Sequence, residues 1–179
     1  LGTALGDRRR AERASAADAT ETRLAGKHAF VTGGRQGIGR GIVDAFDTEG
    51  AHVTTCGRGP RPDDLPEPVA WHTLDVTDAA AVAQVVQPMD ILVNNAGVQV
   101  EKTVAESTDA DWEAVIGPSC RGVFNMCRAF IPVMKRGSII NIGSISGQVA
   151  APSMALYNAS KAFVHGLTRS IAVDHGPRI

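Results

Sequence analysis

The sequence predicts an α/β fold: one Rossmann-like domain in three layers, a doubly wound parallel sheet with helices on both faces. Two observations carry this. Short apolar or β-branched runs alternate with segments of helical period along most of the 179 residues. A glycine-rich turn also joins the first such run to the first helical segment. Composition agrees, with 44% hydrophobic and 21% charged residues, as in an ordinary globular domain.

The elements follow in order. Residues 1–23 are polar and of mixed charge, with Arg8, Arg9 and Arg10 in a row, and are expected to form a solvated arm. Residues 24–179 are expected to form the one Rossmann-like domain. His28–Thr32 is the first strand, and an apolar-periodic helix runs from Gly39 to Asp47. Ala51–Cys56 is the second strand, followed by a Pro-rich loop over Gly57–Pro68 and a third strand over Val69–Leu74. Thr77 is read as the cap of a helix over Asp78–Gln87. Asp90–Val93 is the fourth strand. Thr108 and Asp111 have capping-box spacing and open a helix from Trp112 towards Arg128, which Gly117–Pro118 should break or bend. Ser138–Ile142 is the fifth strand, and the last helix spans Leu156–Val173.

Composition also excludes several classes. A net charge of −1 gives no electrostatic reason for a nucleic-acid or membrane-surface partner. No apolar run is long enough for a transmembrane helix. Cys56, Cys120 and Cys127 have neither Cys-x-x-Cys spacing nor an even count, so no disulfide framework and no metal site is expected. Free thiols fit a reducing, cytoplasmic setting.

Three motifs fall near expected strand ends. Gly33-Gly34-Arg35-Gln36-Gly37-Ile38-Gly39, preceded by Thr32, lies between strand and helix, where backbone N–H groups and a helix N-terminus suit a pyrophosphate. Asn94-Asn95-Ala96-Gly97 follows the fourth strand, at the carboxyl end of the sheet, where ligands bind in doubly wound folds. Tyr157 and Lys161 are four apart at the start of the last helix and so share one face. A free phenol titrates near pH 10, and a neighbouring cation favours the phenolate. Ser144, thirteen residues before Tyr157, stands beyond the fifth strand with Ser146 as a neighbour.

The Gly-x-x-x-Gly-x-Gly spacing, the Asn-Asn-Ala-Gly turn, and Ser144 with Tyr157 and Lys161 together resemble the classical short-chain dehydrogenase/reductase family over Leu24 to the C-terminus. The resemblance implies an oxidoreductase transferring a hydride between NADP(H) or NAD(H) and a secondary alcohol or ketone. It implies that Tyr157 is the general acid–base and that Ser144 orients the substrate oxygen. Lys161 would bind the nicotinamide ribose and favour the Tyr157 phenolate. Gly33, Arg35, Gln36, Gly37, Ile38, Gly39, Asp75, Val76, Asn95, Ala96, Gly97, Tyr157 and Lys161 would then bind the cofactor. Arg58 joins them. A neutral Gly57 followed by Arg58 after the second strand suits a 2′-phosphate, so NADP(H) is expected, with NAD(H) as the alternative. Val98, Gln99, Gly147, Gln148 and Val149 are expected to border the substrate pocket. A homodimer or homotetramer pairing the two long helices is expected on the same grounds.

Two departures stand against this pattern. The family's relay Asn falls on Ser119, whose hydroxyl is shorter than an amide. The chain also stops at Pro177-Arg178-Ile179, where the family's sixth strand begins, so it is expected to be truncated or a piece of a longer one. These departures leave open an alternative: a non-catalytic protein that binds a dinucleotide or a partner.

Overall fold

The computed structural model describes residues 22–179; most of the expected arm, residues 1–21, lies outside them. Five parallel strands form one sheet: β1 (His28–Thr32), β2 (His52–Gly57), β3 (Ala70–Thr73), β4 (Ile91–Asn94) and β5 (Ser138–Asn141). Their order is β3-β2-β1-β4-β5. The chain thus extends one way from β1 through β2 to β3, then crosses back to continue through β4 to β5. That reversal opens a crevice between the carboxyl ends of β1 and β4.

The helices are α1 (Gly37–Thr48), α2 (Ala79–Gln84), α3 (Asp109–Ile116), α4 (Val123–Phe130) and α5 (Ala155–His175). Alternation along β1 sends Phe30 and Val31 to opposite faces, both fully buried. Phe30 joins Leu92, Val82, Met126 and Phe130 under α2 and α4. Val31 joins Val43, Val53 and Val93 under α1, with Leu65 and Val69 from the β2–β3 loop. Val164 of α5 packs on Val123 and Cys127 of α4.

Several local expectations need correction. Asp78, not Thr77, caps α2: its carboxylate accepts from the N–H groups of Ala80 and Ala81 at 2.9 and 3.0 Å. Thr77 instead bonds to the Asp75 carboxylate. That helix ends at Gln84, short of Gln87. The Thr108–Asp111 capping box is present at the start of α3. Gly117–Pro118 does not break the chain's helical course. Residues Gly117–Gly122 widen into a π-helical segment between α3 and α4. Pro118 has no N–H to give to the i−4 carbonyl, and the wider turn absorbs the loss. Among the described residues, no helix is long and apolar enough to cross a membrane.

Candidate active site

A cleft of about 710 Å³ opens at the carboxyl ends of the strands. All fourteen residues expected to contact a cofactor line it: the glycine turn, Arg58, Asp75 and Val76, the Asn95–Gly97 turn, Tyr157 and Lys161. Segments up to 128 residues apart in sequence are thus brought to one surface.

The glycine turn and the Asn-Asn-Ala-Gly turn are built as one unit. Thr32, at the end of β1, is 2% exposed. Its hydroxyl accepts from the backbone N–H groups of Asn95 and Ala96, each at 3.0 Å. The Asn95 side-chain amide donates to the carbonyls of Thr32 at 3.0 Å and Gly33 at 3.3 Å. The approach is so close that a Cβ on Gly39 would lie 2.3 Å from both Asn95 Nδ2 and Gly33 O. Glycine is therefore required there by contact, since Gly39 lies within α1 and its φ is not left-handed. Gly33 itself has φ of +73°, which glycine adopts without cost.

Gln36, the N-cap of α1, makes no side-chain cap bond, whereas α2 and α3 are capped by Asp78 and Thr108. The first N–H groups of α1 thus have no side-chain partner at the cleft, in the geometry that receives an anion.

Across the cleft, Lys161 is 7% exposed. Its Nζ donates to the Ile142 carbonyl at 2.7 Å and lies 5.6 Å from the centre of the Tyr157 ring. Burial pushes the ammonium's pKa below its ordinary value, partly offset by the neighbouring Cys120. An ammonium has three donors, so two remain beyond the Ile142 bond.

Ser144 is not among the residues lining the cleft, although its neighbour Gly143 is. The Ser144 hydroxyl accepts from the Ser146 N–H at 3.1 Å, opening a short 3₁₀ turn. That turn lies directly on α5: a Cβ on Gly147 would fall 2.6 Å from the Lys161 carbonyl carbon. Val98 and Gln99 line the cleft, whereas Gly147, Gln148 and Val149 do not.

Ser119 sits within the π-helical segment, 1% exposed, and its Oγ has no hydrogen-bond partner. Ser119 is not among the residues lining the cleft; its hydroxyl lies behind Gly97, where a Cβ would be 3.1 Å from it.

Two supports were not legible in the sequence. Asn125 of α4 is buried, and its amide donates to the Val76 and Thr77 carbonyls, both at 3.1 Å. It holds the wall that carries Asp75 and Val76. Asn94 donates to Asn141 Oδ1 at 2.8 Å, joining the ends of β4 and β5. Only the strand register, which pairs Asn94 with Asn141, reveals the second contact.

Comparison with known proteins agrees with this geometry. The short chain dehydrogenase family model matches residues 27–179. The chain belongs to the short-chain dehydrogenase family. It is similar to the 3-oxoacyl-(acyl-carrier-protein) reductase of Thermotoga maritima, at 34% identity over 85% of this chain and 69% of that protein. It is 37% identical to the NADP-dependent (R)-specific alcohol dehydrogenase of Lentilactobacillus kefiri, over 85% and 68% of the two chains. Among solved structures, the ligand-free aldohexose dehydrogenase of Thermoplasma acidophilum superposes with a TM-score of 0.81 at 28% identity, covering 88% of this chain and 65% of that one. The short-chain dehydrogenase fold and its oxidoreductase class, acting on CH–OH groups with NAD(P), therefore apply to this chain.

Proposed function

We propose that this short-chain dehydrogenase interconverts a ketone and a secondary alcohol with NADP(H), using Tyr157 as the general acid–base. The observation that carries this reading is the shared cleft: the uncapped start of α1 at one end, and Tyr157 beside a buried Lys161 at the other. The residues fit a dinucleotide. Gly37 lines the cleft with nothing within 4 Å of where a Cβ would stand, space that a side chain would take, and the two remaining Lys161 donors suit a ribose diol. When bound, the nicotinamide supplies or accepts the hydride.

The chain's own residues do the rest. In reduction the Tyr157 hydroxyl gives its proton to the substrate oxygen; in oxidation the phenolate takes it back. Lys161 holds the cofactor ribose and favours the phenolate by its charge. Ser144 turns its hydroxyl from the Ser146 N–H to the substrate oxygen. Ser119 holds a water at its free hydroxyl to feed the relay. Arg35 and Arg58, both on the cleft, receive the 2′-phosphate, in keeping with the NADP dependence named for the Lentilactobacillus relative. Exposed Trp112, Phe124 and Phe163 on α3, α4 and α5 support a homodimer or homotetramer, which sedimentation tests. The three cysteines are all free and buried, which supports a cytoplasmic setting.

A second reading, dinucleotide binding without turnover, draws on the place of Ser144 outside the cleft lining and on the unpartnered Ser119. One experiment separates the two. NADPH oxidation is followed with a panel of ketones, and Tyr157→Phe is compared with the parent. The proposal expects turnover to fall about a hundredfold to ten-thousandfold while NADPH affinity stays nearly constant. Binding with no turnover in the parent protein supports the second reading. Turnover that survives Tyr157→Phe removes Tyr157 from its role.

A further inference from the structure

Gly57 ends β2 and lines the cleft beside Arg58. Its φ is not in the left-handed region, so its backbone conformation does not require glycine. The neighbour that excludes a side chain is Trp71 of β3. A Cβ on residue 57 would lie 2.8 Å from Trp71 Cη2 and 3.2 Å from Cζ2. The β2–β3 register pairs Thr55 with Trp71 and Gly57 with Thr73, so the indole leans along the sheet over the end of β2.

The indole has little freedom to move aside. It packs against the cluster of Val31, Val43, Val53, Leu65 and Val69. The loop supplying Leu65 and Val69 is itself held by two guanidinium groups. Arg61 donates to the carbonyls of Leu65 at 3.2 Å and Pro66 at 2.8 Å, and also to that of Val69. Arg40 joins α1 to the loop through the Asp64 carboxylate at 3.0 Å, its guanidinium braced by Asp44 of the same helix at 2.8 Å. The indole Nε1 is buried with no partner among the described residues, so packing alone sets the ring's position.

We propose that Trp71 is a specificity-determining residue: its indole fills the side-chain volume of position 57 and keeps a carboxylate out of the adenosine end of the cleft. A carboxylate after the second strand accepts from the ribose hydroxyls and repels a 2′-phosphate. Its exclusion leaves that end to Arg35, whose guanidinium is fixed on the Pro60 carbonyl at 3.0 Å, and to Arg58. Selection of the phosphorylated dinucleotide is then set by a β3 side chain that is not itself part of the cleft lining. This inference rests on the reading that the cleft takes NADP(H).

The test compares the parent chain with Gly57→Asp, Trp71→Leu and the double variant, by thermal melting and by calorimetric titration with NADP⁺ and NAD⁺. Gly57→Asp alone is expected to lower Tm and lose NADP⁺ binding without gaining NAD⁺. The double variant is expected to regain much of the Tm and to bind NAD⁺ about tenfold tighter than Gly57→Asp. Trp71→Phe with Gly57→Asp, which removes the Cη2–Cζ2 edge but keeps a ring, serves if the leucine double variant does not fold. Gly57→Asp with parental Tm and tightened NAD⁺ binding overturns the proposal, as does a folded double variant with no gain in NAD⁺ affinity. Arg58→Ala tests the underlying reading separately: a loss of NADP⁺ affinity alone supports it, and equal losses of both cofactors sink it.

Discussion

The two ends of the cleft are built differently. At the glycine-turn end, the walls stand on the central strands β1, β2 and β4, and the turns bond directly to each other through Thr32 and Asn95. At the Tyr157 end, they stand on β5, whose Ile140 is 42% exposed among the described residues, and on a turn whose Ile145 is 71% exposed. The first end is preorganised by buried central strands and by the Thr32 and Asn95 bonds between the two turns. The second depends on α5, which reaches back to β5 through the Lys161–Ile142 bond and to Asn141 through Thr168 at 2.9 Å. The glycine-turn end is thus held backbone to backbone through Thr32 and Asn95, while Tyr157 and Lys161 are held by side-chain bonds from α5.

Substitutions should expose this contrast. The largest effect is expected from Gly39→Ala, where the new methyl meets Asn95 and the Gly33 carbonyl at 2.3 Å. Dinucleotide binding should fall beyond calorimetric detection, with a stability loss of at least about 1–3 kcal/mol from overpacking. Retained binding would show that the two turns separate easily. Thr32→Val comes next. It leaves the Asn95 and Ala96 N–H groups without their acceptor, and urea unfolding should show a loss of about 1–3 kcal/mol. At the other end, Ile140→Thr should cost no more than about 1 kcal/mol, because its side chain is only partly covered. A cost equal to that of Thr32→Val would erase the difference between the ends.

The smallest effect concerns the support of α3 and depends on pH. Lys102, at 2.7 Å, and the Thr108 hydroxyl and N–H hold the Asp111 carboxyl down to about 2. A depressed carboxyl stabilises the fold fully above its unfolded value near 4 and loses that contribution as pH falls towards 2. Asp111→Asn should therefore lower Tm slightly at pH 7, and the difference from the parent should shrink between pH 4 and pH 2. A difference that is constant across this range would mean that the capping hydrogen bonds, not the charge, carry the effect.

Much of this was legible before any coordinates, for reasons that are local. The succession of strands and helices follows from short apolar runs and helical segments in alternation. The Thr108–Asp111 box was read from a three-residue spacing and is present. The glycine spacing and the Tyr157–Lys161 interval each depend on residues within one turn or one helix. Where local reading failed, a competing local contact had won: Asp78 took the cap from Thr77, which bonded to Asp75 instead.

The sequence by itself determined the fold class, the glycine turn between β1 and α1 and the placement of Tyr157 and Lys161 on one helical face, because backbone period and turn chemistry act over a few residues. Only the tertiary structure decided that the Thr32 hydroxyl serves Asn95 and Ala96, that Asn125 props the Val76 wall, and that Trp71 forbids a side chain at Gly57. Those contacts join segments 14 to 64 residues apart, and their geometry is set by strand register and helix docking, which no local pattern encodes.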